Sequence, residues 1–325
     1  MPTVNTVRGP VEIDDLGPTL MHEHVIIANT EYVNNYGMGG WWDEEFRVAD
    51  AVAKLNAVVA KGVRTIVDPT VLGLGRYIPR VQRIAARVPD LNIIVATGLY
   101  SFDEVPMQYL QRGPGTMLET PEPMVAEFVR DITEGINDTG VKAAFLKCCV
   151  EEKGLTPGVE RICRAIAQTH VRTGAPITVH TNAHARMGLP ALGLFAKEGV
   201  DLTKVVVGHS GDSNELGYLM ALADAGATLG MDRFGLDIYN PTERRVETIA
   251  ALCARGYADR IVLSHDAACF MDLFGGDWDE GVPLLAPNWR YDFIHDEVLP
   301  ALLVAGVSAA QIEQMLVFNP ARHFS

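Results

Sequence analysis

Eight short apolar runs, each ending in polar residues and each followed by a stretch of helical periodicity, constrain the fold of this 325-residue chain more than any other feature. The runs are Thr19 to Met21, Thr65 to Asp68, Asn92 to Gly98, Ala143 to Lys147, Pro176 to His180, Lys204 to His209, Ala227 to Asp232 and Arg260 to Asp266. They are mostly continuous rather than alternating, the pattern of parallel strands covered on both faces. Helical segments lie between and after them: Glu45 to Lys61, Tyr77 to Val88, Pro123 to Ile136, Gly158 to Thr173, Leu189 to Glu198, Glu215 to Ala225, Glu243 to Arg255 and Ile294 to Leu303. Thr156-Pro157 marks one helix start, since proline suits the first turn, where an amide has no intrahelical acceptor. Regular alternation predicts an α/β fold. Eight units match a closed (β/α)8 TIM barrel, which takes roughly 250 residues plus insertions. The rival, an open doubly wound sheet, lacks the Gly-x-Gly-x-x-Gly turn expected after its first strand.

No linker of biased composition divides the chain, so residues 1–325 read as one domain, large enough for a single core at 48% hydrophobic residues. A net charge of −14 without a basic stripe argues against a nucleic-acid partner. No apolar run approaches the roughly 18 residues of a membrane span, and the first residues lack a signal-like pattern, so a cytoplasmic, non-membrane protein is expected. Five cysteines, Cys148, Cys149, Cys163, Cys253 and Cys269, form no Cys-x-x-Cys pair, which disfavours a disulfide framework or a thiolate zinc site. Cys148 and Cys149, after the run ending at Lys147, are placed to line a pocket; small apolar packing residues are the simpler reading.

In a closed barrel the carboxyl ends of all strands meet at one mouth. His22, His24, Lys147, His180, His209 and Asp266 all stand at or near such ends. Within His22-Glu23-His24, alternate side chains of an extended segment share a face, so both histidines can address one ion while Glu23 points away. Four histidines and a carboxylate suit zinc, cobalt, manganese or iron. The set exceeds one tetrahedral ion and fits two ions roughly 3.5 to 4 Å apart. Lys147 is the odd member, since an ammonium is repelled by dications. Three readings stand open from residue type: reaction with carbon dioxide to a carbamate that bridges both ions, a Schiff-base amine, or a plain ion pair.

Together these stretches resemble the phosphotriesterase family of the amidohydrolase superfamily: His22-Glu23-His24, Lys147 after Ala143-Ala144-Phe145-Leu146, His180-Thr181-Asn182-Ala183-His184, Gly208-His209-Ser210-Gly211-Asp212 and Ser264-His265-Asp266. Asp68 to Arg76, Ala96 to Tyr100 and Gly230 to Asp237 resemble its phosphotriesterase-like lactonases. The resemblance implies a binuclear centre. His22, His24 and Asp266 would hold the more buried ion and His180 and His209 the more exposed one, with carboxylated Lys147 and a hydroxide bridging them. It implies opening of lactone rings, N-acyl-homoserine lactones foremost, as in quorum quenching, with side activity on organophosphate triesters, and a homodimer. Asp266 would pass the proton, while Tyr100 and Arg233 would contact the substrate.

The same motifs contain His184 and His265, which exceed the ligand count; His265, adjacent to Asp266, is expected to support the site from behind. His170, His295 and His323 need no more than packing or surface roles. Arg233 beside Asp232 also fits a simple ion pair. The long segment Cys269 to Trp289 reads as a loop over the mouth, apolar enough to receive a hydrocarbon tail or to cap helices. Trp41-Trp42 after Gly39-Gly40 flank either the mouth or a subunit contact. Other activities also fit: a primary phosphotriesterase, a Schiff-base lyase on Lys147, or a metal-containing binder without turnover.

Overall fold

The structure, a computed structural model, describes residues 2–37 and 40–325, so Gly39 lies outside the described residues. Its main sheet contains β1 (Thr19–Leu20), β2 (Thr65–Asp68), β3 (Asn92–Gly98), β4 (Phe145–Val150), β5 (Ile177–Thr181), β6 (Val205–Gly208), β7 (Thr228–Met231) and β8 (Ile261–Leu263). Each strand pairs in parallel with the next, in chain order. The ring closes where the Met21 N–H donates to the Leu263 carbonyl at 3.3 Å. Closure is repeated higher up, where His24–Ile27 pairs in parallel with Ala268–Met271. The eight-stranded parallel barrel expected from the apolar runs is therefore the observed architecture.

Around it run α1 (Glu44–Ala60), α2 (Ile78–Ala85), α3 (Pro123–Thr133), α4 (Pro157–Thr173), α5 (Gly188–Lys197), α6 (Leu216–Asp224) and α7 (Thr242–Cys253). Local chemistry sets their ends. The Asp43 carboxylate accepts the Phe46 N–H at the start of α1, satisfying one of the free amides of the first turn. Thr156 does the same for Val159 before Pro157, and α4 stops at Gly174, whose φ of +73° suits a residue without Cβ.

Side chains alternate along each strand, so the barrel has two apolar layers. Ile177, Val179, Val205, Val207 and Leu229 face outward onto helix residues such as Ile166, Leu222 and Ile249. Val67, Ile94, Ala96, Phe145, Val206 and Val262 point inward and form a separate cluster with Val4, Ile13 and Leu16. The floor under that cluster comes from an antiparallel hairpin, Thr3–Thr6 with Gly9–Glu12, and from the last helix, Asn319–Phe324.

Three sequence expectations change. β4 runs on to Val150, which puts Lys147 in mid-strand; Cys148 and Cys149 are buried within the sheet, in keeping with the simpler of their two readings. The Arg260 to Asp266 run is a strand only over Ile261–Leu263, because its last residues turn across the mouth. Cys269 to Trp289 is not one loop: it holds part of a strand, a 3-10 segment at Asp272–Asp277 and a helix at Trp278–Leu285 that buries Trp278 and Val282. Trp41 stacks on Phe270 with ring centroids 6.0 Å apart, and Trp42 is buried beneath Arg80, so this pair packs against the barrel wall.

Candidate metal centre

All six residues singled out at strand ends meet at the mouth. His22 Nε2 and His24 Nε2 lie 3.2 and 3.3 Å from the same atom, Asp266 Oδ1. Lys147 Nζ is 3.2 Å from His22 Nε2. On the other side His209 Nε2 is 2.8 Å from His180 Nδ1 and 3.9 Å from Asp266 Oδ2. Two of these residues adopt the left-handed backbone region, His209 at φ +62° and Asp266 at φ +56°. Side chains other than glycine rarely sit there, and surroundings must enforce it. Here the Asp266 N–H donates to the His22 carbonyl at 3.0 Å, and the His209 N–H to Asp232 Oδ1 at 2.7 Å.

Hydrogen bonds behind the histidines assign their tautomers. Asp232, buried, accepts from His22 Nδ1 and from His209 Nδ1, each at 2.9 Å. His24 Nδ1 donates to Thr70 Oγ1 at 2.7 Å, and Thr70 spends its own hydroxyl proton on Asp68 Oδ1 at 2.5 Å. His180 Nε2 donates to Glu151 Oε1 at 2.7 Å. In its neutral form every imidazole therefore turns an unprotonated nitrogen inward. At His209 and His180 two lone pairs face each other across 2.8 Å, and at His22 and His24 lone pairs face a carboxylate oxygen. Divalent cations between these atoms would reconcile such contacts, as a shared proton can for a single pair, and the donor set of imidazoles and one carboxylate suits borderline divalent ions. The group His22, His24 and Asp266 is spaced to hold an ion.

Charges around the centre follow from burial and pairing. Burial lowers the proton affinity of His209 and brings that of His180 down to about 4, keeping both rings neutral. For His22, burial and Lys147 are outweighed by Asp266 and Asp232, which raise it; a metal ion held beside those carboxylates would compete with that proton. Burial also lowers Lys147, against the pull of Asp266 and Asp232, and a neutral amine results more readily there. Desolvation pulls Asp266 upward, yet His22 and His209 hold it well below the usual carboxylate range.

Arg233 does not pair with its neighbour Asp232. Its Nε donates to Asp266 Oδ2 and its Nη1 to Asp212 Oδ2, both at 3.0 Å, while Asp212 is held from behind by buried Arg245 at 2.7 Å. Tyr100 Oη stands 3.2 Å from His180 Nδ1, and burial keeps the phenol protonated well above its ordinary range. Glu23 turns away from the mouth, as expected, and accepts from Ser264 Oγ, His265 Nδ1 and the Ala267 N–H. His265 thus braces the turn that carries Asp266. His184 sits exposed at the cleft lip, while His170 and His323 are buried in packing positions.

Close packing makes room for Asp232. A Cβ on Gly230 would lie 2.6 Å from its carboxylate, so only glycine fits there. Sequence reading missed Asp232 as the shared anchor of two imidazoles, and it gave no role to Glu151, Thr70, Asp212 or Arg245. Carboxylates just beyond strands near candidate histidines were the available signal. Above the centre opens a cleft of about 690 Å³ lined by Tyr100, Phe102, Ile238, Tyr239, Leu273 and Phe274 among others. Only part of the Cys269 to Trp289 segment reaches it, through Met271, Leu273, Phe274 and Trp289.

Comparison with known proteins agrees over the full length. The model of the Phosphotriesterase family matches residues 2–324. A "Phosphotriesterase homology protein" of Mycobacterium tuberculosis is 55% identical over 324 residues, covering 100% of this chain and 98% of the relative. An "Aryldialkylphosphatase" of Saccharolobus solfataricus is 36% identical over 318 residues, 98% of each chain. The solved structure of the phosphotriesterase from Mycobacterium tuberculosis superposes with a TM-score of 0.96 at 55% identity, covering 100% of this chain and 98% of that one. With a family match from end to end, a parallel barrel of the same shape and a mouth rich in metal-ligand types, the chain belongs to the phosphotriesterase family of hydrolases.

Proposed function

We propose that this hydrolase opens lactone rings, N-acyl-homoserine lactones foremost, and acts more slowly on organophosphate triesters. The observation that carries the metal-dependent reading is the set of inward-facing lone pairs, above all His209 Nε2 against His180 Nδ1. His22, His24 and Asp266 would hold one divalent ion, zinc, cobalt, manganese or iron, and His180 and His209 a second. Lys147 would bridge them as a carbamate. Its burial favours the neutral amine that attacks carbon dioxide. When bound, such ions supply Lewis acidity and bring the pKa of a water toward neutrality.

The protein's own groups then divide the work. Asp266, kept ionised by its histidine neighbours and oriented by Arg233, accepts the proton of the attacking water and returns it to the leaving alkoxide. Arg233 cannot carry the proton itself, because Asp266 and Asp212 more than offset its burial and hold it protonated. Tyr100, a protonated phenol at the cleft wall, donates to the carbonyl or ring oxygen of the substrate. The apolar upper cleft, with Phe102, Ile238, Leu273 and Phe274, favours a lactone bearing an acyl tail over a compact triester.

A panel of lactones varied in acyl length, run beside paraoxon on protein loaded with zinc, cobalt or manganese, tests this. Higher kcat/KM for acyl lactones than for paraoxon is expected. The reverse ranking would make the chain a primary phosphotriesterase, and full turnover after chelation would remove the metal-dependent reading.

A further inference from the structure

His180 differs from the other three histidines of the centre. His22, His24 and His209 each give Nδ1 to a group behind them and turn Nε2 inward, whereas His180 turns Nδ1 inward and gives Nε2 to Glu151. A histidine ring flips between these two presentations unless something holds one nitrogen, and the two place the ligating atom differently. For His22 and His209 the holder is Asp232, sealed beneath the barrel mouth. For His180 it is Glu151, on the cleft wall with 23% of its side chain exposed.

Glu151 is itself held. Its Oε2 accepts from Asn182 Nδ2 at 3.0 Å, and Asn182 is fixed in turn by accepting the Ala185 N–H at 2.9 Å. Glu151 follows β4, the strand of Lys147, and Asn182 follows β5, the strand of His180. Lys-x-x-x-Glu and His-x-Asn therefore close a clamp across two adjacent strands, joining the bridging residue and the second-ion ligand through one carboxylate.

We infer that Glu151 is a positioning residue: with Asn182 it locks His180 in the orientation that presents Nδ1, and thereby sets the affinity of the second, more exposed metal position without contacting the ion. The inference rests on the binuclear reading above. It predicts unequal behaviour at the two positions, because losing Glu151 frees His180 while leaving His22, His24 and Asp266 in place.

The experiment is metal titration of Glu151→Ala, Asn182→Ala and the double variant Glu151→Gln/Asn182→Asp, following metal per chain after dialysis and the visible spectrum of the cobalt-loaded protein. The double variant keeps an oxygen toward His180 and gives the new amide an acceptor at position 182. Glu151→Ala is expected to weaken the second ion about 10- to 100-fold while the first stays bound. Asn182→Ala should shift it less in the same direction, and the double variant should restore most of the affinity. Should Glu151→Ala fail to fold, Asn182→Ala read against the double variant carries the test. Two ions held by Glu151→Ala or Asn182→Ala as tightly as by the wild type would overturn the inference alone. A wild type that takes up fewer than two ions would overturn it together with the binuclear reading.

Discussion

The two ends of the barrel follow opposite rules. At the mouth, charges crowd together: Asp232, Lys147 and Asp212 are buried, Arg233 and Asp266 are each 14% exposed, and two candidate ligands adopt left-handed backbone. At the floor, the hairpin Thr3–Glu12 and the helix Asn319–Phe324 press Val4, Ile13, Leu16 and Phe324 against the inward side chains of the strands. One strand shows the change. In β4, Phe145 packs into the floor with its ring 6.2 Å from Phe324, and Lys147, two residues on and on the same face, reaches His22 in the candidate metal centre. Stability should therefore be concentrated below and chemistry above, as barrel enzymes divide them.

Substitutions within that strand separate the two. Lys147→Ala removes the proposed bridge and should cost several kcal/mol of transition-state stabilisation, a loss of about a thousandfold or more in kcat/KM, with at least one ion lost. Its thermal unfolding in the apo form should change little, because a desolvated amine leaves with it. Phe145→Ala should do the opposite, costing about 3 to 5 kcal/mol of folding stability through the cavity it opens, while the protein that remains folded keeps its metal content. Equal losses of activity and stability in both variants would erase the division.

How far the sequence disclosed this depends on which end is asked about. The eight strands were legible because doubly covered parallel strands write continuous apolar runs, and His22, His24, Lys147, His180, His209 and Asp266 were legible because barrel closure sends strand ends to one place. Asp232 was visible only as the end of an apolar run and as a neighbour of Arg233. Its real partners, His22 and His209, lie 210 and 23 residues away, and no local period records a contact of that kind. Arg245 sits on α7 and looks like any helix-face arginine until Asp212 is placed beside it. The floor left no signal either, since Thr3 to Glu12 is short and mixed in character, and the tail helix reads as an ordinary chain end. The segment after Cys269 failed for another reason: its glycines and acids mask a helix held by Trp278 and Val282.

Within the mouth, the shared anchor offers a finer comparison with the clamp on His180. Asp232→Asn leaves one oxygen where a carboxylate served three N–H donors, from His22, His209 and the His209 backbone. Both ions should weaken, each by about 10- to 100-fold, in contrast to the single position governed by Glu151. Metal analysis of Asp232→Asn beside Glu151→Ala reads this directly. Loss confined to one ion in Asp232→Asn would show that His22 and His209 do not depend on it jointly.

The smallest effect belongs to the floor and appears only with pH. His323, on the last helix, is buried with neither ring nitrogen hydrogen-bonded among the described residues. Burial, aided by the charges of Lys204 and Arg322, pushes its pKa down to about 3 from an ordinary 6.5. The folded chain thus keeps the ring neutral where the unfolded chain protonates it. Stability from this source is complete above pH 6.5 and falls as pH drops toward 3, because the unfolded state binds the extra proton throughout that window. At pH 5 the deficit is about 2 kcal/mol relative to neutral pH. A His323→Leu variant, apolar and of similar bulk, should lose that much less between pH 7.5 and pH 5 in urea-unfolding measurements on metal-free protein. Parallel losses in the variant and the wild type would mean that the ring protonates in place or that the mouth, with its many carboxylates, dominates acid unfolding; in either case the floor would no longer be the simpler end of the barrel.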